Sequence, residues 1–478
     1  MTHAAMLVVR ELEFGVRPVR LRLPFRFGAV TLRACPQLFV RATVEQEGGA
    51  RARGSAAEMM VPKWFDKRDE RSHVDNVDDL LGAVKRAADA YRGDAPASTF
   101  GLFARHYTPL MAAGRAANAT ELSSAYGQAV IDRAVLDAVC IARGVSFFDA
   151  AAANLVGMAD SATAPDLQGF AWDRWLAALK PLRRVQARHT IGMLDELHQS
   201  RSGDDGLPVS LPAVISRYGI EVFKIKLGGD VAADAQRLAE VLGVLDRYAP
   251  RHRYTLDGNE QYRDGAALEA LFAHLRALPA FVLRPEALLY IEQPLPREAS
   301  LQGPVASDAA PAPWLMDEAD GTLDAFVQGA RLGWSGVSSK ACKGLYKSIV
   351  NRARCDAWNA AAVRDGQAPS YFMSAEDLTC QAGLSVQQDL ALLSLLGLSH
   401  TERNGHHYAD GFGDAPAGEQ QAFAAAHPDL YETSTVRPRL CIAGGRIALD
   451  SLFAPGYAHS VEVDWSAMQP LSVATTLL

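Results

Sequence analysis

From about residue 185 onward the chain repeats one unit, an apolar strand, a turn and an amphipathic helix, and this repeat limits the fold more than any other feature. The strands read ARHTIGML, VFKIKL, RYTLD, LLYIEQP, PWLMDE, WSGVSSK, SYFMSAED and LSHTER. Between them lie helical faces such as Leu238, Val241, Leu242, Leu245 and Tyr248, or Leu268, Leu271, Phe272, Leu275 and Leu278. Eight strands separated mostly by helices predict a closed parallel α/β barrel of the (β/α)8 type rather than an open sheet. Only 298–313, which is rich in Ala, Pro and Ser, offers no helix where one is due.

The first 145 residues read differently, as an α+β unit. LFVRATVEQ alternates, Gly48-Gly49 turns, and RARGSAA returns, which is a hairpin pattern. Two helical patterns follow, one with Val77, Leu80, Leu81, Val84, Ala88 and Tyr91 on a face, the other over 122–143. The expected organisation is a capping unit at 1–145, a barrel at 146–440, and a segment at 441–478 that packs back on the capping unit. Between hairpin and helices, MMVPKWFDKRD is apolar, then charged, and periodic in neither sense. With 25–28, the loop at 59–67 is a candidate lid, carrying Met59, Met60, Trp64 and Phe65.

The strand ends carry the chemistry. Asp257, Glu292 and Asp317, the last followed by Glu318, stand at the C-terminal ends of three successive strands, the face where barrels of this kind place their active sites. Three converging acids repel one another unless a cation lies between them, and hard oxygen donors suit Mg²⁺. Alternation points Lys224 and Lys226 in VFKIKL the same way. Lys340 ends the sixth strand, opposite the second in an eight-membered ring, so Lys226 and Lys340 are expected on two sides of a metal-bound substrate. Lys224 is expected to depress the pKa of Lys226, giving a general base near neutral pH. Mutual repulsion among the lysines also predicts that variants lacking one keep their fold.

These stretches resemble those of the enolase superfamily, specifically its muconate-lactonizing subgroup. KIK resembles that subgroup's Lys-x-Lys; DGN, IEQP and MDEA its three ligand-bearing stretches; SSK its second lysine. The resemblance implies a modified (β/α)7β barrel with an N-terminal capping domain, and a Mg²⁺-dependent isomerase or lyase. Such an enzyme takes the α-proton from a carboxylate through a metal-stabilised enediolate. It also implies Asp317 rather than Glu318 as third ligand, and Lys224 as auxiliary lysine. Racemisation, epimerisation and cycloisomerisation fit first, with acid-sugar dehydration as an alternative. The last strand has no Asp-x-Asp, which disfavours a dipeptide epimerase, and no His follows SYFMSAED, which disfavours a His/Asp dyad. The interval from Asp257 to Glu292 is lengthened by extra sequence at 278–287.

Substrate contacts are expected from Arg26, Met60, Trp64, Asn259, Glu402, Asn404 and His406. Two other classes stay open: a glycosidase using Glu292 with Asp257 or Asp317, which leaves the lysines unexplained, and a non-catalytic carboxylate-binding protein. The net charge of −7 gives no footprint for nucleic acid or anionic membrane. No apolar run approaches a membrane span, and the N-terminus lacks a signal-peptide pattern. The six cysteines lack metal-site spacing and read as reduced thiols in a cytoplasmic protein. A homo-oligomer binding a small carboxylate is the expected assembly.

Overall fold

The computed structural model describes residues 4–28, 30–305, 310–378, 380–433, 437–458 and 460–478. The N-terminal unit is a three-stranded antiparallel sheet, β1 (Leu7–Phe27), β2 (Val30–Gln46) and β3 (Arg51–Met59), in that order. Phe27 pairs with Val30 across the hairpin tip, where Gly28 takes the left-handed φ of 53° that glycine adopts without strain. Residues 25–27, expected in a loop, are therefore the end of a 21-residue strand.

Three helices cover the sheet: α1 (His73–Tyr91), α2 (Thr99–Ala116) and α3 (Glu121–Arg143). Ser72 caps α1 by accepting from Asp75 N, while the Asp75 carboxylate reaches back to the Ser72 N–H. The sequence pattern announces α1 and α3 but not α2, whose interior holds Pro109. Helix α3 is buried along nearly its whole length and lies tightly on β3. A Cβ at Gly54 would stand 2.1 Å from Ala138 N and 2.4 Å from Ala134 O, both backbone atoms of α3.

The barrel strands are β4 (Arg184–Ile191), β5 (Val222–Lys226), β6 (Arg253–Asp257), β7 (Leu288–Glu292), β8 (Trp314–Met316), β9 (Gly336–Ser339), β10 (Phe372–Ala375) and β11 (His400–Arg403). All neighbours are parallel, and β11 pairs with β4 to close the ring. An α-helix follows every strand except β7, among the described residues, which fits the helix-poor sequence at 298–313. The extra residues at 278–287 form a short helix, Pro279–Leu283, and a 3₁₀ turn on the outer wall. The C-terminal stretch adds Arg446–Ala448 antiparallel to β4, then returns to the capping sheet, where Gln469 bridges Val16. No described helix is long and apolar enough to cross a membrane.

Gly54→Ala should lower stability by about 1–3 kcal/mol, because α3 must move off β3 to admit the methyl group. Denaturant unfolding checks this, and a midpoint equal to wild type would show that the contact is not tight.

Candidate active site

Strand alternation turns Lys224 and Lys226 into the barrel, while Phe223 and Ile225 pack outward among the apolar residues. The register sets Lys226 beside Asp257 and Asp257 beside Glu292. All three are buried, as are Asp317 and Lys340. Lys224 Nζ reaches four carboxylates: Asp257 and Glu292 at 2.8 Å, Glu376 at 2.9 Å and Glu402 at 3.1 Å. Lys226 Nζ donates to Asp257 at 2.5 Å, and Lys340 Nζ to Asp317 at 2.7 Å. Asp317 also accepts from Ser338 Oγ at 2.6 Å, and its carbonyl accepts from Lys343 Nζ at 3.0 Å.

This pairing corrects the expectation that the lysines chiefly repel one another. Burial alone would lower the pKa of Lys224, but Asp257, Glu292, Glu376 and Glu402 outweigh it and hold the ammonium well above its ordinary value. Burial likewise opposes charge on Lys340, and Asp317 more than offsets it, so Lys340 also stays protonated. Lys224 therefore lies inside a cage of acids rather than against a bare second ammonium. Removing a lysine strands buried acids instead of relieving repulsion.

The acids divide in the same way. Burial pushes Asp257 and Asp317 up, yet lysine charge prevails and both are held below the carboxylate range, Asp257 by Lys224 and Lys226, Asp317 chiefly by Lys340 and Lys343. Glu292 goes the other way: burial, then the like charges of Asp257 and Glu376, raise it well above its ordinary value. Its Oε1 is held by Lys224, but its Oε2 is buried without a hydrogen-bond partner, so one oxygen at the centre is left unfilled. That unfilled acceptor and the all-oxygen donor set fit a hard divalent ion. In the present side-chain arrangement Asp257 and Asp317 are turned onto their lysines. Among the described residues, one group of His, Cys, Asp and Glu has its ligand atoms within 4.8 Å of one another, and it is His189, Asp195 and His407 rather than these three acids.

A small cavity lies over the lysines. Lys224, Lys226 and Lys340 line its floor; Asn259, Asp377, Glu402 and Asn404 its polar wall; Phe25, Phe27, Val61 and Trp64 its roof from the capping unit. The Trp64 ring lies 4.3 Å from Lys340 Nζ and the Phe25 ring 5.8 Å from Lys226 Nζ. The loop after β3 is held over the mouth from several sides. Lys67 Nζ bonds Glu318 Oε1 at 2.8 Å, and Arg297 donates to the carbonyls of Phe65 and Trp64 at 2.9 and 3.1 Å.

Of the residues expected to contact substrate, Trp64, Asn259, Glu402 and Asn404 line the cavity. Arg26 is exposed, because alternation along β1 sends Phe25 and Phe27 inward and the residue between them out. Met60 is buried under the loop outside the lining, and His406 lies against His189 behind the barrel wall. Glu318 faces Lys67 and Asn259, not the lysine floor. Glu402 does more than line the mouth: it accepts from Lys224, from Thr190 Oγ1 at 2.6 Å and from the Asp377 amide at 3.0 Å. Glu376 is a further member that sequence reasoning passed over. It sits just beyond β10 and binds Lys224, Tyr290 and Arg188, and the strand-end pattern that marks Asp257 marks it equally.

No protein-family model matches the chain, and no curated protein matches it in sequence. Solved structures match it over nearly their whole length. An enolase from Mycobacterium smegmatis complexed with tartrate is 13% identical at a TM-score of 0.60, covering 100% of this chain and 93% of its own. Muconate lactonizing enzyme from Pseudomonas fluorescens, complexed with muconolactone, is 15% identical at 0.58, covering 96% and 98%. A dipeptide epimerase from Enterococcus faecalis, complexed with Mg and L-Leu-L-Tyr, is 11% identical at 0.56, covering 95% and 100%. The chain thus shares the capped-barrel fold of these solved enzymes.

Lys224→Ala should destabilise the protein by about 3–5 kcal/mol, as expected when one partner of a buried ion cluster is removed. Lys224→Ala with Glu402→Gln should recover part of the loss. Thermal melts in chelator measure both, and a single variant as stable as wild type would contradict the cage.

Proposed function

We propose that the protein is a Mg²⁺-dependent isomerase or lyase that removes the α-proton of a small carboxylate substrate. The observation that carries this reading is the pair Lys226 and Lys340, on strands four apart in the ring, both lining one cavity and each paired with a strand-end carboxylate. Asp257, Glu292 and Asp317 would hold the cation, and Glu292 Oε2, buried and unpartnered, is the acceptor already waiting for it. A bound divalent cation supplies Lewis-acid stabilisation of the negative charge that develops on the substrate carboxylate.

What the chain's own groups do then follows from charge. Turning Asp257 and Asp317 toward an ion takes an anionic partner from Lys226 and from Lys340, which lowers the cost of losing a proton at either Nζ. Lys226 takes the α-proton from one face of the substrate. Lys340 returns one on the other face in racemisation or epimerisation, or stays a spectator cation in a one-base elimination or cycloisomerisation. Lys224 keeps Glu292, Glu376 and Glu402 in place and supplies fixed positive charge below the reacting carbon. Trp64 and Phe25 cover the lysines and limit access of water. Glycoside hydrolysis gives the lysines no task, and no observation favours it.

Screening small carboxylates for α-deuterium exchange in D₂O with Mg²⁺ tests the reading. Lys226→Ala and Lys340→Ala should each cut exchange at one face by ~10² to 10⁴-fold. Lys226→Arg should lose the same exchange as Lys226→Ala, since a guanidinium does not give up its proton. Full exchange by the double Ala variant would sink the assignment.

Mg²⁺ at millimolar concentration should also raise the melting temperature by mass action, and Asp257→Asn should remove the shift. A wild-type melt indifferent to Mg²⁺ would argue against the metal assignment.

A further inference from the structure

Behind the barrel wall, and separate from the lysine floor, three imidazoles and a carboxylate meet. His189 lies on β4, whose inward residues are Arg188 and Thr190, so its ring points away from the barrel interior. The turn Gly405–Tyr408 after β11 carries His406 and His407 to the same spot. Asp195, just past β4, completes it: ligand atoms of His189, Asp195 and His407 all lie within 4.8 Å of one another.

The groups around this cluster orient it as ligand supports do. Asp195 Oδ2 accepts from Tyr408 Oη at 2.7 Å and from the Gly192 amide at 2.8 Å, which leaves Oδ1 for another partner. His189 Nδ1 shares a hydrogen bond with His406 Nε2 at 3.3 Å, so Nε2 is the His189 nitrogen left to ligate. His406 Nδ1 is buried without a partner. Three histidines with this little hydrogen bonding are an expensive way to fill space.

We infer that His189, His407 and Asp195 form a second metal site, distinct from the carboxylate centre, that takes a borderline transition ion, Zn²⁺ foremost. Two imidazoles and one carboxylate suit such an ion and disfavour Mg²⁺, and three protein ligands leave a fourth position for water. Tyr408, which holds Asp195, also packs its ring 4.4 Å from that of Phe25 in the cavity roof. An ion here would fasten the turn after β11 to β4, and through Tyr408 fix the roof over Lys226.

Co²⁺ titration of chelator-stripped protein in millimolar Mg²⁺ tests this, because Mg²⁺ occupies the oxygen site while Co²⁺ reports nitrogen ligation by its visible absorption. One equivalent should give the intense bands of a four-coordinate ion, and Zn²⁺ should displace it. His407→Gln should abolish the spectrum, Tyr408→Phe should weaken affinity by about 10- to 100-fold as the loss of a ligand support does, and Asp257→Asn should change nothing. Wild-type protein without such bands overturns the site, whatever the variants do. Bands that survive in His407→Gln, or vanish in Asp257→Asn, overturn it equally.

Discussion

The arrangement of the barrel mouth depends on one buried ammonium. Lys224 stands among Asp257, Glu292, Glu376 and Glu402, which are contributed by or next to β6, β7, β10 and β11. Charges this deep are tolerated only when paired and hydrogen-bonded. The cage therefore ties both halves of the ring to its centre, and each acid in it has a fixed direction. Lys226 and Lys340 flank this core, each on its own aspartate. Two lysines in one apolar strand are explained by the acids of the neighbouring strands, which supply more negative charge than the strand's two ammonium groups neutralise.

That surplus is what links structure to chemistry. Glu292, pushed up by burial and by the acids beside it, retains a buried oxygen without a partner. A divalent cation at this point would satisfy Glu292 and compete with the lysines for Asp257 and Asp317. The same exchange that builds the metal centre would then release the two amines that the proposed reaction needs. Metal binding and activation of the base become one event.

Much of this was legible in the sequence because barrel strands obey simple rules. Alternation puts Lys224 and Lys226 on one face, and counting strands sets Lys340 opposite. An acid at a strand end points into the mouth, which finds Asp257, Glu292 and Asp317 and would have found Glu376 had the same rule been applied after FMSA. What failed was side-chain direction where no count fixes it. Arg26 lies between two inward phenylalanines and so points out, Met60 tucks beneath its loop, and His406 joins a cluster formed by residues over 200 positions apart in sequence. Helix α2 escaped notice because Pro109 interrupts its pattern. The repulsion expected among the lysines was misjudged for a related reason: sequence shows that two ammonium groups are neighbours, but only packing shows how many carboxylates surround them.

The central claim is that a single divalent cation belongs between the strand-end acids with a lysine on either side. Anomalous diffraction from crystals equilibrated with Mn²⁺ tests it most directly. The account predicts a peak bonded to Asp257, Glu292 and Asp317, with Lys226 and Lys340 swung off their aspartates to face the cavity from its two sides. A map with both lysines still on Asp257 and Asp317, and no peak between the acids at saturating Mn²⁺, would contradict it.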